Sequence, residues 1–211
     1  MCRSTIRCSM AEKRGLSHAA LSTSRLVASA AMPTAGDDAR LDLVIRAATV
    51  EDVEEMVDLY LRVGEEGLFI SVEPPVDRHE RRLWLEQRLD APWTLVMVAV
   101  VSGAIIGYLT AVGSARDPAE LGLGVAKAWR GLGVGTRLIE AAIGWGRGHG
   151  VHKLTAEVFP HNQPTLHLFE KLAFQREGLR RSHYRRRDGA LWDVVVLGLP
   201  LEGDQEALPP R

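Results

Sequence analysis

Cysteine is nearly absent from this sequence. The 211 residues include two, Cys2 and Cys8, and both lie at the amino-terminal end, so a disulfide framework or a cysteine-based zinc site for the rest of the chain is excluded. The seven histidines contain no His-x-His or His-x-x-x-His pair, the spacings that place two imidazoles on one face of a strand or helix. We therefore expect no metal site and a reducing, cytoplasmic environment.

Long apolar runs and an excess of one charge are also missing. The most apolar segment, residues 94–101, has the length of a strand and falls far short of the roughly 18 residues that suggest a membrane span. The formal net charge is -1, so no overall field draws the protein to nucleic acid or anionic lipid. With 46% hydrophobic residues the chain can bury one core. We expect one domain, with neither nucleic acid nor a membrane as partner.

The two ends of the chain differ in composition from the middle. Residues 1–40 are rich in Ser, Ala and Arg and hold one acidic residue, Glu12, before Asp37, while residues 202–211 are polar and contain two prolines. Such segments do not form a core. We expect residues 1–40 to be a disordered extension or to precede the true start, with an organellar presequence as the alternative. Residues 202–211 are then a tail, and residues 41–201 are the domain.

Strand and helix patterns alternate through the domain. Thr49 and Asp52 predict a capping box that opens the first helix, and a second amphipathic helix follows Pro74 and Pro75. The patterns predict strands at 43–47, 94–101, 104–112, 119–125, 153–159, 174–180 and 192–199, with further helices at 136–145 and 162–172. Three glycines, Gly146, Gly148 and Gly150, are expected to break the third helix. An antiparallel meander followed by strand–helix alternation predicts an α/β domain.

A glycine-rich segment joins the fourth predicted strand to the third helix, and it reads RGLGVGT at residues 130–136. Its glycines leave backbone N–H groups unshielded at a helix start, where the helix dipole favours an anion. A Walker A loop is excluded, because Gly135 rather than lysine precedes Thr136. A dinucleotide-binding loop with Glu157 as the ribose-binding acid stays an alternative, although the third glycine of that fingerprint is missing. A turn without a ligand is the other alternative.

The neighbours of this segment resemble those of one family. The strand before it reads AELGLGV at 119–125, the segment itself reads RxxGxG, and Asn162 precedes LFEKLAF at 168–174. These three spaced motifs resemble the fourth strand, the acyl-CoA pyrophosphate loop and the N…LYxxxGF helix end of the GNAT acetyltransferases, over residues 41–201. The resemblance implies an α/β (α+β) fold, with a mixed, mostly antiparallel sheet of about seven strands that is splayed centrally and flanked by about four helices.

The resemblance also implies acetyl-CoA as co-substrate, with no metal. The pantetheine arm would lie between two central strands and pair with the backbone of Leu123, Gly124 and Val125, and the Val125 N–H would stabilise the oxyanion. Asn162 and Phe169 would contact the pantetheine or the thiol. The residues implied to bind the pyrophosphate are Arg130, Gly131, Leu132, Gly133, Val134, Gly135 and Thr136.

The chemistry of such a transfer requires proton movement. An alkyl ammonium with a pKa of about 10.4 holds its proton at neutral pH, so a general base is needed, and Glu120 is the candidate because it begins the strand that leads to the acetyl group. A solvent-facing glutamate is the alternative interpretation. The tyrosine that protonates the leaving thiolate in this family matches Phe169, which has no proton to give. Either Tyr184 or Ser182 replaces it, or the thiolate leaves unprotonated, since a thiol pKa is about 8.5.

We therefore predict an N-acetyltransferase that moves an acetyl group from acetyl-CoA to a primary amine of a small molecule or a protein N-terminus, in one ternary complex. The second hypothesis, motivated by Phe169, is an acyl-CoA-binding or sensing protein of the same fold without turnover. The expected partners are acetyl-CoA and an amine acceptor, and a homodimer is left open. The Arg-rich run 171–187 is expected to be a solvated strand and turn, with a surface for nucleic acid or an acidic substrate as the alternative. Trp84 and Trp93 flank the region that forms the acceptor pocket in this family, and both are expected to belong to the core.

Overall fold

The computed structural model describes residues 42–201, so the predictions for residues 1–40 and 202–211 lie outside the described residues. The described part of the chain contains one seven-stranded sheet and four α-helices. The strands are β1 (Val44–Ala47), β2 (Thr94–Val101), β3 (Ala104–Val112), β4 (Ala119–Val125), β5 (Lys153–Val158), β6 (Gln175–Arg185) and β7 (Leu191–Pro200). The helices are α1 (Val53–Glu65), α2 (Arg78–Leu89), α3 (Val134–Gly148) and α4 (Gln163–Lys171).

The sheet has the order β1-β2-β3-β4-β5-β7-β6. Every neighbouring pair is antiparallel except β4 and β5, which run parallel. Their pairing covers only three positions, from Ala119 opposite Leu154 to Leu121 opposite Ala156. Beyond Leu121 the two strands separate, so the sheet is splayed at its centre. The predicted fold class is confirmed.

Helices cover both faces of the sheet. The central strands β2 and β3 are apolar at nearly every position, and because successive side chains point to opposite faces, both faces must be buried. On one face, α1 and α2 pack on Val96, Val98 and Ile105 of β2 and β3. On the other, α3 and α4 pack on a larger core that includes Leu109, Leu154 and Leu197. Along β4, Leu121 and Leu123 belong to the α3 side, so Glu120 points to the α1 side.

The predicted capping box is present and adds an ion pair. The Asp52 carboxylate accepts hydrogen bonds from the backbone N–H (2.8 Å) and hydroxyl (3.1 Å) of Thr49. It also accepts hydrogen bonds from both terminal nitrogens of Arg46, at 2.6 and 2.8 Å. This joins the end of β1 to a short 3₁₀ turn, Val50–Asp52, from which α1 continues.

The prediction that Gly146 breaks the third helix is wrong, because α3 continues through it and ends at Gly148. Gly146 faces the core, where an added Cβ would lie 2.5 Å from the Leu201 side chain. Its missing side chain serves packing rather than termination. Gly150, with a φ of +69°, follows the helix in the left-handed conformation typical of helix ends.

Candidate active site

A cavity of about 1050 Å³ opens where β4 and β5 separate. Residues 120–125 of β4, residues 156–158 of β5 and the following Phe159 form its walls. The glycine segment and the start of α4 line one end, and α1, α2 and residues 69–72 line the other. Residues that are far apart in the sequence, from α1 to α4, therefore line one cavity.

The backbone of β4 offers hydrogen-bonding groups to this cavity. The Ala126 N–H donates to the Ile106 carbonyl at 2.9 Å, and hydrogen-bonded pairs alternate along an antiparallel ladder. Gly124, opposite Tyr108, therefore directs its backbone groups to β3, whereas those of Leu123 and Val125 point towards β5. Since the pairing with β5 ends at Leu121, the N–H groups of Leu123 and Val125 face the gap.

This alternation revises one expected contact, because Gly124 directs its backbone N–H and carbonyl to β3 and not to the cavity. The glycine has a different use at this position. An added Cβ would overlap the ring of Tyr108, which is 3% exposed. The absence of a side chain at Gly124 thus lets Tyr108 lie across β4 beside the cavity.

The glycine segment forms a backbone anion site at the start of α3. Gly131 and Gly133 have φ values of +77° and +82° with open space around an added Cβ, so the backbone conformation alone requires glycine there. The first helical bond runs from the Arg137 N–H to the Gly133 carbonyl at 3.1 Å. The N–H groups of residues 134–136 therefore have no partner within the helix, and no side chain caps it. Leu132 projects to solvent and Val134 is buried, so only their backbone can serve a ligand.

The side chain of Arg130 does not point into the anion site. Its terminal nitrogens donate to the Glu66 carboxylate at 2.6 and 2.7 Å, and its Nε donates to the Val125 carbonyl at 2.9 Å. The pair holds the pKa of Glu66 below its usual value. The expectation that Arg130 binds the pyrophosphate is therefore revised: its guanidinium fastens the loop to β4 and to the end of α1.

Glu120 and Glu157 line the cavity from neighbouring strands, on the α1 side of the sheet. Partial burial and the charge of Glu157 raise the pKa of Glu120, with Arg180 opposing. Glu157 binds Arg180 and accepts a hydrogen bond from the Tyr184 hydroxyl at 3.0 Å. Burial and Glu157 also raise the pKa of Tyr184, so this hydroxyl keeps its proton at neutral pH.

Asn162 and Phe169 line the same cavity from α4. The Asn162 side chain accepts from the Thr165 N–H at 3.4 Å and so caps α4, as predicted. Phe169 is 2% exposed and packs on Phe174 with ring centroids 4.8 Å apart. Ser182, the other predicted proton donor, is exposed in an irregular stretch of β6 and does not line the cavity.

The far end of the cavity holds mostly residues that the sequence did not single out. Tyr60 of α1, Arg81 and Trp84 of α2, and Tyr108 of β3 line it together with Ile70 and Val72. Trp84 packs against the core between α1, α2 and the sheet, as expected, and it also forms part of the cavity wall. The apolar spacing of α2 was the available signal, and it did not indicate which face of the helix meets the cavity.

A backbone anion site beside an open strand edge, with a carboxylate opposite, has the geometry to hold an extended phosphorylated co-substrate. Comparisons with known proteins identify the family. The sequence model described as Acetyltransferase (GNAT) family matches residues 53–174. The chain belongs to this family, and it is an N-acetyltransferase that uses acetyl-CoA. The dinucleotide alternative is thus wrong.

Two curated relatives and one solved structure illustrate the likeness. The L-amino acid N-acetyltransferase AaaT of Escherichia coli is 28% identical over 164 residues, covering 74% of this chain and 96% of AaaT. The L-methionine sulfoximine/L-methionine sulfone acetyltransferase of Pseudomonas aeruginosa is 24% identical, covering 77% and 97%. The structure of a GNAT-family acetyltransferase from Streptococcus pneumoniae superposes with a TM-score of 0.68 at 26% identity, covering 75% of this chain and 99% of the other.

No three His, Cys, Asp or Glu side chains among residues 42–201 are grouped so that they could hold a metal ion. Within the same residues, every helix is too short or too polar to cross a membrane.

Proposed function

We propose that this N-acetyltransferase acetylates the α-amino group of a small amino acid or amino-acid analogue. The observation that carries the proposal is the single cavity, in which the anion site, the open edge of β4 and Glu120 meet a small pocket with an apolar wall. The two relatives reported above are named for an L-amino acid and for analogues of L-methionine. Both are matched over nearly their whole length, which supports the same substrate class here.

Acetyl-CoA is expected to lie along the gap between β4 and β5. The N–H groups of Val134, Gly135 and Thr136 would hold the pyrophosphate, with Gly131 and Gly133 shaping the loop. The backbone of Leu123 would pair with the pantetheine amides, and Asn162 and Phe169 would border the arm. The Val125 N–H would donate to the thioester oxygen and stabilise the negative charge that develops there.

Glu120 is the proposed general base. It takes a proton from the acceptor's ammonium group, directly or through a water, and the neutral amine then attacks the thioester carbonyl. After the attack the nitrogen loses its second proton to solvent. When the tetrahedral intermediate collapses, the carbon–sulfur bond breaks and the leaving thiolate needs a proton, which its donor then regains from solvent. Tyr184 is proposed to supply it in place of Phe169, because it lines the cavity with a hydroxyl that Glu157 holds in place. The cytoplasmic location and the homodimer stay predictions.

Thiol release from acetyl-CoA tests the proposal when measured with the twenty L-amino acids, L-methionine sulfone and a peptide with a free N-terminus. We expect turnover with at least one amino acid. Turnover with the peptide alone would contradict the proposed substrate class. Absence of turnover with every acceptor, despite acetyl-CoA binding in calorimetry, would favour a binding protein instead.

Glu120→Gln tests the base without changing the size of the side chain. Loss of the base should lower kcat by about 10²- to 10⁴-fold, with the affinity for acetyl-CoA unchanged. Glu140→Gln is the matched control, because Glu140 lies on the exposed surface of α3 away from the cavity. If both variants retain full kcat, Glu120 is not the base.

A further inference from the structure

Three arginines follow one another closely on α2, and only one of them turns into the cavity. Arg78 binds Asp58 and Glu54, and Arg82 pairs with Glu86 at 3.1 Å. Arg81 lies between them in sequence but lines the cavity instead. Its guanidinium carbon lies 3.8 Å from the ring centroid of Tyr60 and 4.2 Å from that of Trp84.

No carboxylate among the described residues balances this charge. The ionisable groups that act on Arg81 are Tyr60, Tyr108 and Arg88, and burial lowers the pKa of its guanidinium. The Nε atoms of Arg81 and Arg88 are both buried without a hydrogen-bond partner, but only Arg81 lines the cavity. The Arg81 side chain as a whole is half-buried, and a cation that loses part of its hydration without gaining a counter-charge is costly. The two aromatic faces offset part of that cost, but they cannot accept the N–H groups at the edge of the guanidinium plane.

The position of Arg81 shows which ligand could meet it. It lies on α2, on the α1 side of the sheet, where Glu120 also points, whereas the anion site for the pyrophosphate lies at the start of α3 on the opposite side. The acceptor therefore approaches Arg81, and the phosphates do not. Tyr108 lies between Arg81 and the strand β4. Its hydroxyl is close enough to affect the pKa of Arg81, and its ring packs against Gly124.

We infer that Arg81 binds the carboxylate of the acceptor and makes the enzyme select amino acids over simple amines. The fork of guanidinium N–H groups matches a carboxylate in geometry and charge. Ile70, Val72 and Trp84 line the same end of the cavity, so the selected amino acid has an apolar side chain. This inference rests on the proposed function and specifies the group that the acceptor pocket recognises.

The test compares Arg81→Gln with Arg88→Gln. Arg88 is the matched control, because its guanidinium carbon also stacks on Trp84, at 3.8 Å, but its NH1 already donates to a backbone carbonyl and it does not line the cavity. The probes are the best L-amino acid from the panel and its carboxamide, which keeps the amine and the side chain but removes the charge.

Wild type should prefer the acid over the amide. In Arg81→Gln, kcat/KM for the acid should fall about 10- to 100-fold, mainly through KM, as expected for loss of a charge-assisted hydrogen bond. In the same variant, kcat/KM for the amide should stay within about twofold of the wild-type value. In Arg88→Gln, kcat/KM for both the acid and the amide should stay within the same range. Arg81→Lys should restore part of the preference, because it returns the charge without the fork.

Three outcomes would overturn the inference. Equal use of the acid and the amide by wild type would do so without any variant and would leave the proposed function intact. An equal fall for both probes in Arg81→Gln would assign Arg81 a structural role. If no amino acid is acetylated and none binds the CoA complex in calorimetry at millimolar concentration, the proposed function and the Arg81 inference both fail.

Discussion

Glu120 and Glu157 are the two carboxylates that line the cavity among residues 42–201. Glu120 was accessible to sequence reasoning, since it begins a recognisable strand motif. From the sequence alone, Glu157 is a candidate only as a ribose ligand, because its partners Arg180 and Tyr184 lie more than twenty residues away on β6. The charges around a residue depend on which strands pair, and the local sequence does not determine that pairing.

The pH dependence of catalysis should show how the charge of Glu157 affects the pKa of Glu120. A general base works deprotonated, so activity rises with pH through the pKa of Glu120, which burial and Glu157 raise above the ordinary glutamate value. Glu157→Gln removes the repelling charge and releases Arg180, and both effects lower the pKa of Glu120. The acidic limb of kcat, measured at saturating acceptor, should therefore move to lower pH.

Glu140→Gln serves again as the control for this profile and should leave the limb in place. Tyr184 loses its acceptor in Glu157→Gln, so the height of the profile can change as well, but the position of the limb reports the pKa alone. A limb that moves to higher pH, or that stays where wild type has it, would contradict the assignment of Glu120 as the base.

At the scale of single elements, the start of α3 combines sequence and structure most directly. The alternating glycines predicted an anion site, and the left-handed Gly131 and Gly133 with uncapped N–H groups have the required geometry. Arg130 differs, because its family motif suggested a ligand while its guanidinium binds Glu66. Arg130 is thus a motif residue that holds the loop in place and does not point towards the ligand site.

The loop can be tested by changing charge at constant shape. Gly133→Asp and Gly133→Asn place side chains of equal size at a left-handed position that both residues tolerate, and space is open around the new Cβ. The aspartate adds a negative charge where the pyrophosphate would bind, so its acetyl-CoA affinity should be at least about tenfold below that of the asparagine variant.

Calorimetry with acetyl-CoA measures this difference, and thermal unfolding checks that the two variants are equally folded. Raising the salt concentration should narrow the gap, because part of the repulsion is screened. Equal affinities at low salt would place the pyrophosphate elsewhere.

The junction of β1 and α1 offers a stability test with a defined pH dependence. Asp52 accepts four hydrogen bonds, and Arg46 is the main cause that lowers its pKa. Asp52→Asn should lower the free energy of unfolding by about 1 to 2 kcal/mol at pH 7. A depressed carboxyl pKa contributes stability above the unfolded value of about 3.9, and the contribution is lost as pH falls through the folded pKa.

The difference between wild type and Asp52→Asn should therefore shrink below about pH 4 in urea unfolding curves. Asp77→Asn is the control, because Asp77 caps α2 through the Glu80 N–H at 3.0 Å and binds no cation. Asparagine caps as well as aspartate, so this change should be nearly neutral. An equal loss in both variants would mean that the Arg46 pair adds nothing.

At the scale of the whole molecule, one buried arginine joins two segments that lie more than 110 residues apart in the sequence. Arg186, 4% exposed, lies in the turn between β6 and β7. It donates to the carbonyls of Gly67, Ile70 and Ser71 at 3.0 to 3.3 Å and pairs with Glu73 at 3.2 Å. Residues 69–72 of the segment it holds line the cavity. The sequence predicted a solvated turn here, and for Arg186 that prediction is wrong.

Arg186→Met keeps the length of the side chain but leaves three carbonyls without this donor and Glu73 without its counter-charge, although Glu73 still accepts a hydrogen bond from the Arg187 N–H. We expect the free energy of unfolding to fall by about 3 kcal/mol and KM for the acceptor to rise, with KM for acetyl-CoA nearly unchanged. Urea unfolding and steady-state kinetics measure the two effects. Arg185→Met is the control on the exposed side of β6, and a similar loss in that variant would show that the charge, not the contacts, matters.

The sequence by itself determined the elements, their order, the glycine loop and Glu120, and through three spaced motifs it indicated the family. These features depend on apolar period, backbone conformation and capping, which act between residues a few positions apart. Only the tertiary structure decided that Arg81 enters the cavity while Arg78 and Arg82 do not, that Glu157 faces Glu120, and that Arg186 is buried. The cost of an unbalanced charge depends on which distant segments surround it, and that is settled only when the sheet and its helices have packed.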